Sequence, residues 1–280
     1  MSEKMPLGVF TSIWTDFAER LQAVRDIGVH TVQAHVPPPQ MRTAEEVEKA
    51  KNTLSQAGVE LSLVFCGFAG DRYDTIQIVR DTVGLCPPAT RAERMPDVMQ
   101  TADYAAALGV PGIGMHIGFL SEDPNSKEFA DVAAAARQIC DYCADLGMRL
   151  HLETGQETAE TLLEFIRAVD RASLAVNFDP ANMILYGSGE PIEALRKVGR
   201  YVRSVHCKDA TWSDRPGEAW GVETPLGEGD VGMEDFVRTL LEVGYEGPLT
   251  IEREVSGEQQ MRDIKKAVDR LTALKAKLLH

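Results

Sequence analysis

Four residues that bind metals or move protons stand at the ends of four successive segments that have the composition of buried strands. Glu153 lies in HLETG, Asp179 in NFDPAN, His206 in VHCKDA and Glu252 in TIERE. Three carboxylates and one imidazole suit a hard or borderline divalent cation, and Mn²⁺, Mg²⁺, Co²⁺ and Zn²⁺ all fit this donor set. Without a cation, clustered carboxylates would repel one another and raise one another's pKa. The alternative is that the two glutamates are salt-bridged surface residues and that His206 packs in the core.

The segments that must position these four residues belong to a chain that alternates between strands and helices. Strands are predicted at 7–14, 30–36, 60–68, 112–118, 149–154, 174–178, 202–207 and 249–252. Helices are predicted at 17–28, 44–57, 91–108, 128–146, 158–169, 192–198, 233–243 and 259–279. Eight strand–helix units within about 250 residues predict a (β/α)₈ TIM barrel, a single α/β domain spanning residues 1–280. A doubly wound open sheet is the competing fold, but no G-x-G-x-x-G follows a predicted strand.

A barrel of this kind carries its reactive side chains where strands end and the following loops begin. The four candidate ligands are therefore expected at one height around the same mouth. Two long connections, at 69–88 and 213–229, are expected to lie over this mouth. Trp212 and Trp220 accompany the second connection, where an aromatic face suits the apolar face of a sugar ring.

Composition excludes several classes of function. The 280-residue chain has a formal net charge of −14, which opposes binding to nucleic acid or to an anionic membrane surface. The start MSEKMPLGVF lacks the apolar run of a signal peptide, and no segment reaches about 18 apolar residues. A cytoplasmic location is the expectation. The CxxC pair Cys140 and Cys143 lies within a predicted helix and is read as buried structural cysteine.

The chain resembles the sugar phosphate isomerase/epimerase group of the xylose-isomerase-like barrel superfamily. The resemblance extends from GVFTSIW to TIERE, and its most specific parts are HLETG, NFDPAN, VHCKD and TPLGEGDVGMEDF. It implies that Glu153, Asp179, His206 and Glu252 hold one catalytic metal, with Mn²⁺ the expected ion. It also implies a small sugar or polyol substrate and assembly into a homo-oligomer.

The same resemblance implies a set of substrate contacts: His116, Gln156, Asn182, Lys208, Arg253 and Trp14. Two of these have a structural alternative. His116 is either a substrate contact or a histidine of the barrel lining. Lys208 either meets substrate oxygens or forms a surface ion pair with Asp209, which would contribute little.

Two positions depart from the pattern of the ketose 3-epimerases in this superfamily. Ala159 stands where those enzymes carry a second glutamate, and Asn182 stands where they carry a histidine. The resemblance to endonuclease IV is weaker still, since that enzyme uses three zinc ions and many histidines. This chain has only six histidines.

Three functions remain open from the sequence. The first is a sugar isomerase or epimerase in which Glu153 or Glu252 moves the proton α to a carbonyl beside the metal. The second is a lyase acting on a keto-inositol or a 3-keto-glycoside, with Lys208 or His116 as the acid. The third is a non-enzymatic sugar-binding barrel. Because no glycine-rich phosphate cradle is evident, a non-phosphorylated substrate is expected.

Overall fold

The structure, a computed structural model, describes residues 3–279 and shows a closed barrel of parallel strands. The predicted TIM barrel is therefore confirmed. Met1, Ser2 and His280, which the predicted domain includes, lie outside the described residues.

The barrel strands begin and end close to their predicted positions. They are β1 Leu7–Ser12, β2 Thr31–His35, β3 Glu60–Phe65, β4 Gly112–Met115, β5 Arg149–Glu153, β6 Leu174–Phe178, β7 Val202–Cys207 and β10 Leu249–Ile251. Around the barrel they follow the order β1, β10, β7, β6, β5, β4, β3 and β2, and β2 returns to β1. Each neighbouring pair is parallel, so every strand delivers its C-terminal end to the same mouth.

The helices surround the barrel. They are α1 Phe17–Asp26, α2 Ala44–Ala57, α3 Ile76–Thr82, α4 Pro88–Leu108, α5 Lys127–Asp145, α6 Ala159–Val169, α7 Pro180–Tyr186, α8 Pro191–Val198, α9 Met233–Glu242 and α10 Glu258–Leu278. Short 3₁₀ turns occupy Pro39–Met41 and Gly199–Tyr201. Among residues 3–279, the helices are all too short or too polar to cross a bilayer.

Four elements near the mouth depart from the prediction. The connection at 69–88 contains α3, and α7 follows β6 directly. Residues Asp209–Thr211 (β8) and Val222–Thr224 (β9) form an antiparallel hairpin, so the region expected to be one long loop is partly a ribbon.

Local sequence explains where the predicted helices begin and end. Helix α2 begins after Thr43, whose hydroxyl accepts the Glu46 N–H at 3.3 Å, and thereby satisfies a free donor of the first turn. It ends at Gly58, which adopts φ of 61°, a left-handed conformation that costs glycine little. Cys140 and Cys143 are buried on α5 and are not joined by a disulfide, which agrees with the prediction.

An aromatic cluster fills the barrel interior next to the candidate ligands. Phe10 lies edge-on to Phe65 and to His206, with ring centroids 5.2 and 5.1 Å apart. A Cβ at Gly114 would come within 2.6 Å of the Phe65 ring, so glycine at this position leaves the space that the ring fills. Because the interior is filled in this way, the candidate site rests on a packed floor rather than on an open channel.

Candidate metal centre and active-site cavity

The four predicted ligands converge at the C-terminal mouth of the barrel. Glu153 ends β5, Asp179 and Glu252 directly follow β6 and β10, and His206 lies near the end of β7. One donor atom from each residue lies within 4.8 Å of all the others. The order of strands around the barrel thus brings together side chains that are distant in sequence.

His206 is at the centre of this cluster. Its Nδ1 lies 2.8 Å from Glu153 Oε1, 3.2 Å from Glu252 Oε2 and 3.6 Å from Asp179 Oδ2. Burial alone would lower the pKa of His206, but Glu252 and Glu153 outweigh burial and raise that pKa well above its usual value. The three carboxylates therefore create a site that attracts positive charge.

Asp179 provides a separate test of whether a metal fits. Its Oδ1 accepts the Asn182 N–H at 2.9 Å and caps α7, whereas its Oδ2 is buried and has no hydrogen-bond partner. Burial raises the pKa of Asp179 to about 6. An unpartnered buried carboxylate oxygen facing an imidazole and two further carboxylates is costly without a cation. The donor set and this oxygen both fit a divalent ion.

Gln33 orients His206 from within the barrel. Its Oε1 lies 2.9 Å from His206 Nε2, and the Gln33 side chain is buried on β2. An Nε2–H that donates to this amide oxygen leaves Nδ1 directed at the carboxylates. Partners of this kind fix the tautomer and ring orientation of a metal-binding histidine. Sequence reasoning did not identify Gln33.

We expect Gln33→Leu to weaken divalent-metal binding by about 10- to 100-fold, because the variant retains the ligands but releases the ring of His206. Calorimetric titration with Mn²⁺ measures the effect. Gln40→Leu, at an exposed position in the Pro39–Met41 turn, is the matched control. Equal Mn²⁺ affinity in the two variants would show that Gln33 does not orient the ligand.

Lys208 is buried beside the ligands rather than exposed. Its Nζ donates to Glu254 Oε1 at 2.7 Å, to Asn182 Oδ1 at 3.2 Å and to Glu252 Oε2 at 3.3 Å. Although burial alone would raise the pKa of Glu252, Lys208 and His206 hold it well below its usual value. The alternative of an exposed Lys208–Asp209 pair is wrong, because both side chains are 1% exposed.

Asp209 instead organises the loop that follows β8 and β9. Its carboxylate accepts backbone N–H groups from Gly227 at 2.7 Å, Gly229 at 3.2 Å, Val231 at 3.2 Å and Ala210 at 3.0 Å. These hydrogen bonds compensate its burial. They also explain the conformation of the Pro-Leu-Gly-Glu-Gly-Asp segment, whose backbone surrounds the Asp209 carboxylate.

Three further predicted contacts support Glu153. His116 Nε2 lies 3.1 Å from Glu153 Oε2, and Gln156 Nε2 donates to His116 Nδ1 at 3.3 Å and to the Tyr186 hydroxyl at 3.1 Å. Asn182 Nδ2 donates to Glu153 Oε1 at 3.3 Å. The Asn182 amide therefore bridges Glu153 and Lys208, and His116 lies between Glu153 and Gln156.

A cavity of about 920 Å³ opens above the cluster. Glu153, Glu252, His116 and Asn182 line it, and Trp14 stands at its rim with 46% of its surface exposed. Its walls include aromatic, apolar and polar residues. Trp220 also lines the cavity, whereas Trp212 packs against the hydrophobic core.

Arg253 lies outside this cavity. It forms ion pairs with Asp263 at 2.9 Å and Glu223 at 3.1 Å, and it lines a separate surface recess beside α1 and α10. Glu223 Oε1 also accepts the Glu254 N–H at 3.0 Å. Arg253 thus connects β9 to the segment that carries Glu252.

Glu157 is a buried carboxylate that sequence reasoning did not single out. Neither of its carboxylate oxygens has a hydrogen-bond partner, and burial raises its pKa from 4.5 to about 8. Glu157 lies close to Glu153 in the sequence, but its burial depends on how the segment before α6 packs. Glu157 is therefore protonated in the folded protein at neutral pH.

The raised pKa of Glu157 determines how the free energy of unfolding changes with pH. Between pH 4.5 and about 8 the folded state holds a proton that the unfolded state has lost, so the free energy of unfolding falls as pH rises. We expect Glu157→Gln to remove this decrease in the free energy of unfolding, which amounts to at most about 1.4 kcal/mol for each pH unit. Melting temperatures at pH 5 and pH 8.5 measure it, with surface Glu164→Gln as the control. A stability difference from wild type that is the same at both pH values would contradict the prediction.

Several proteins of known structure share the barrel fold of this chain. The chain is 46% identical to a xylose isomerase domain protein from Planctomyces limnophilus, over 99% of each chain, with a TM-score of 0.95. It shares its fold with a xylose isomerase-like TIM barrel protein from Mycobacterium smegmatis in complex with magnesium, at 17% identity, full coverage of both chains and a TM-score of 0.75. It shares its fold also with a D-psicose 3-epimerase from Clostridium cellulolyticum H10, at 16% identity, 96% and 99% coverage and a TM-score of 0.74.

Similarity to curated proteins is more limited in extent. An inosose dehydratase of Clostridium botulinum is 28% identical over 145 residues, which is 46% of this chain and 48% of that enzyme. The aligned region is thus about half the length of either protein. The family model for xylose isomerase-like TIM barrels, in contrast, matches residues 21–278. The chain belongs to the xylose isomerase-like TIM barrel family.

Proposed function

We propose that this chain is a metal-dependent sugar isomerase or epimerase, which moves the proton α to the carbonyl of a sugar or a polyol-derived ketone. The observation that carries the proposal is that Glu153 and Glu252 belong to the candidate ligand set and also line the cavity. A carboxylate that belongs to the ligand set and also lines the cavity is within reach of a substrate held at the metal.

The cofactor of this proposal is one divalent ion held by Glu153, Asp179, His206 and Glu252. Mn²⁺ is our first choice from the family resemblance, Mg²⁺ is supported by its presence in the mycobacterial relative, and Co²⁺ and Zn²⁺ suit the same donors. When bound, the ion would act as a Lewis acid that makes the α-proton more acidic.

Glu153 and Glu252 are both ionised at neutral pH in this proposal. Burial alone would raise the pKa of each, but Lys208 and His206 hold the pKa of Glu252 well below its usual value, and His116 and His206 lower the pKa of Glu153. Glu153 lies across the cluster, on β5, with β6 and β7 between it and β10. Two carboxylates on opposite sides of one site can remove a proton from one face of a carbon and return it to the other, as epimerisation requires.

The remaining residues bind and orient the substrate in this proposal. His116 and Asn182 line the cavity and meet substrate oxygens, and Trp14 packs against the substrate at the rim. Lys208 positions Asn182, and Gln156 positions His116, through the hydrogen bonds between them. Arg253 contributes by holding the backbone of the Glu252 segment in place.

The substrate of this proposal is not phosphorylated. Arg42 is the arginine among the cavity-lining residues, and it forms an ion pair with Asp97. Lys208 is committed to Glu252 and Glu254. A phosphate dianion would therefore meet carboxylates without a free guanidinium or ammonium to bind it.

A lyase is the second candidate, favoured by the position of His116. A lyase shares the first proton abstraction and then needs an acid for the leaving group. His116 lines the cavity next to Glu153, whereas Lys208 is 1% exposed and its pKa is raised well above its usual value, because Glu252 and Glu254 outweigh its burial. His116 is therefore better placed than Lys208 to reach a leaving group, and the inosose dehydratase similarity supports this candidate.

Incubation in deuterium oxide with Mn²⁺ and a panel of keto-sugars tests the proposal. Incorporation of deuterium at the α-carbon without loss of water or of a substituent is the expected result. Exchange accompanied by such a loss would assign the lyase instead. No exchange in any keto-sugar, with sugar binding unaffected by replacement of the metal ligands, would indicate a non-enzymatic sugar-binding barrel.

A further inference from the structure

One half of the cavity wall differs in character from the metal centre. The candidate ligands come from β5, β6, β7 and β10, whereas the loops after β1, β2 and β3 form the opposite side. Those loops line the cavity with Trp14, residues 36–39, Phe68 and Ala69, which we call the apolar subsite. Residues 36–39 are one valine followed by three prolines.

The charged groups beside the apolar subsite are already paired. Arg42 forms an ion pair with Asp97, and Arg94 forms one with Asp71, with 2.9 Å between Arg94 Nη2 and Asp71 Oδ1. The Arg94 guanidinium also stacks on Phe68, 4.8 Å from its ring centroid, which holds the ring in place. Proline has no N–H donor, so the 37–39 segment cannot donate hydrogen bonds to sugar hydroxyls.

The size of the cavity indicates that a single sugar ring does not fill it. At about 920 Å³ it approaches the upper end of the range of small-molecule pockets, about 300–1,000 Å³. A sugar held at the metal centre contacts the half formed by β5, β6, β7 and β10, and leaves the apolar subsite to another part of the substrate. Apolar walls that exclude water favour an apolar occupant over a hydrated one.

We propose that the apolar subsite binds an aromatic ring attached to the sugar, so that the substrate is an aryl-substituted, glycoside-type sugar ketone rather than a free monosaccharide. The assignment of the sugar to the metal end rests on the proposed function, whereas the apolar subsite rests on its own residues. A second sugar ring is the alternative occupant. His35 and Tyr73 line this half too and could bind its hydroxyls, whereas Trp14, residues 36–39, Phe68 and Ala69 favour an apolar group. Trp14 and Phe68 supply the aromatic surfaces.

Paired binding measurements on the Mn²⁺-loaded protein test the proposal. Calorimetry compares the methyl and phenyl β-D-glycosides of glucose, galactose and xylose, with cellobiose as the two-sugar probe. We expect the phenyl compound to bind about 10-fold or more tightly than its methyl counterpart in at least one pair, and cellobiose to show no such gain. Phe68→Ala should remove most of the phenyl gain and change methyl glycoside binding by less than about 2-fold. Trp14→Ala should also remove most of the phenyl gain.

The control is Val222→Ala, at a position 62% exposed and outside the cavity lining, which should retain the full phenyl gain. Melting temperatures verify that each variant is folded. No phenyl gain in any pair, an equal gain for cellobiose, or a gain that survives both aromatic variants would overturn the proposal. Deuterium exchange without a phenyl gain would reject the subsite alone, whereas a phenyl gain without exchange into the keto-sugars or into the 3-keto form of the phenyl glycoside would reject the proposed function alone.

Discussion

Glu252→Gln is expected to lower the rate of solvent-deuterium exchange into the substrate by about 10²- to 10⁴-fold, the usual contribution of a positioned general base. Glutamine has nearly the same shape and can still accept the hydrogen bond from Lys208, which lies 3.3 Å from Glu252 Oε2. It cannot accept a proton from carbon at neutral pH. Measurement at saturating Mn²⁺ separates this effect from weaker metal binding.

The matched control for this variant is Glu246→Gln. Glu246 forms an exposed ion pair with Lys4, and its side chain is 72% exposed. The control should retain the wild-type exchange rate. An exchange rate in Glu252→Gln within about 3-fold of this control would exclude Glu252 as a base and leave Glu153 as the sole candidate.

Lys208→Met is expected to destabilise the metal-free protein by about 3–5 kcal/mol, the usual cost of breaking a buried ion pair from one side. Methionine fills much of the same space but leaves Glu252 without its ammonium partner and Asn182 Oδ1 without a donor. For a chain of this size the loss corresponds to a fall in melting temperature of about 10 °C.

A surface lysine gives the comparison for this measurement. Lys49 pairs with Glu45 and Glu46 on the exposed face of α2, and Lys49→Met should leave the melting temperature nearly unchanged. If Lys208→Met melted at the same temperature as Lys49→Met, the buried contacts of Lys208 would not contribute to stability. Addition of Mn²⁺ should recover part of the loss, because a bound cation stabilises the folded state.

The barrel and the clustering of its four candidate ligands could be predicted because the signals are local. A helix that ends at glycine and is followed by a short apolar strand recurs along the chain, and this repeat identifies the strand ends. Once a barrel is inferred, Glu153, Asp179, His206 and Glu252 fall at its mouth without further information. The cluster within 4.8 Å in the structure is the geometry that this reasoning requires.

The elements that sequence reasoning missed lack such signals. All seven residues of α7 are buried, so it has no polar face from which a helical period could be recognised. Strands β8 and β9 have three residues each and pair across a long gap. Their pairing is an antiparallel backbone contact without a tight turn, and strands this short leave no pattern in the sequence.

The role of Gln33 depends on a contact that spans the barrel. It is a single polar residue within the apolar strand β2, and its partner His206 lies 173 residues away in the sequence. Glu157 is similar, because its raised pKa follows from burial that only the packed structure shows. The preference for Mn²⁺, the homo-oligomer and the cytoplasmic location stay predictions.

Calorimetric titration with Mn²⁺ is the most direct test of the metal centre. Wild-type protein, stripped with a chelator, should bind one ion per chain, and Asp179→Ala should bind it at least about 100-fold more weakly, since it lacks the carboxylate with the unpartnered buried oxygen. The Asp230→Ala variant, which removes a carboxylate from the loop near Trp212, should bind as wild type does. Equal Mn²⁺ binding by wild type and Asp179→Ala, or no binding by wild type, would contradict a metal centre at the mouth of this barrel.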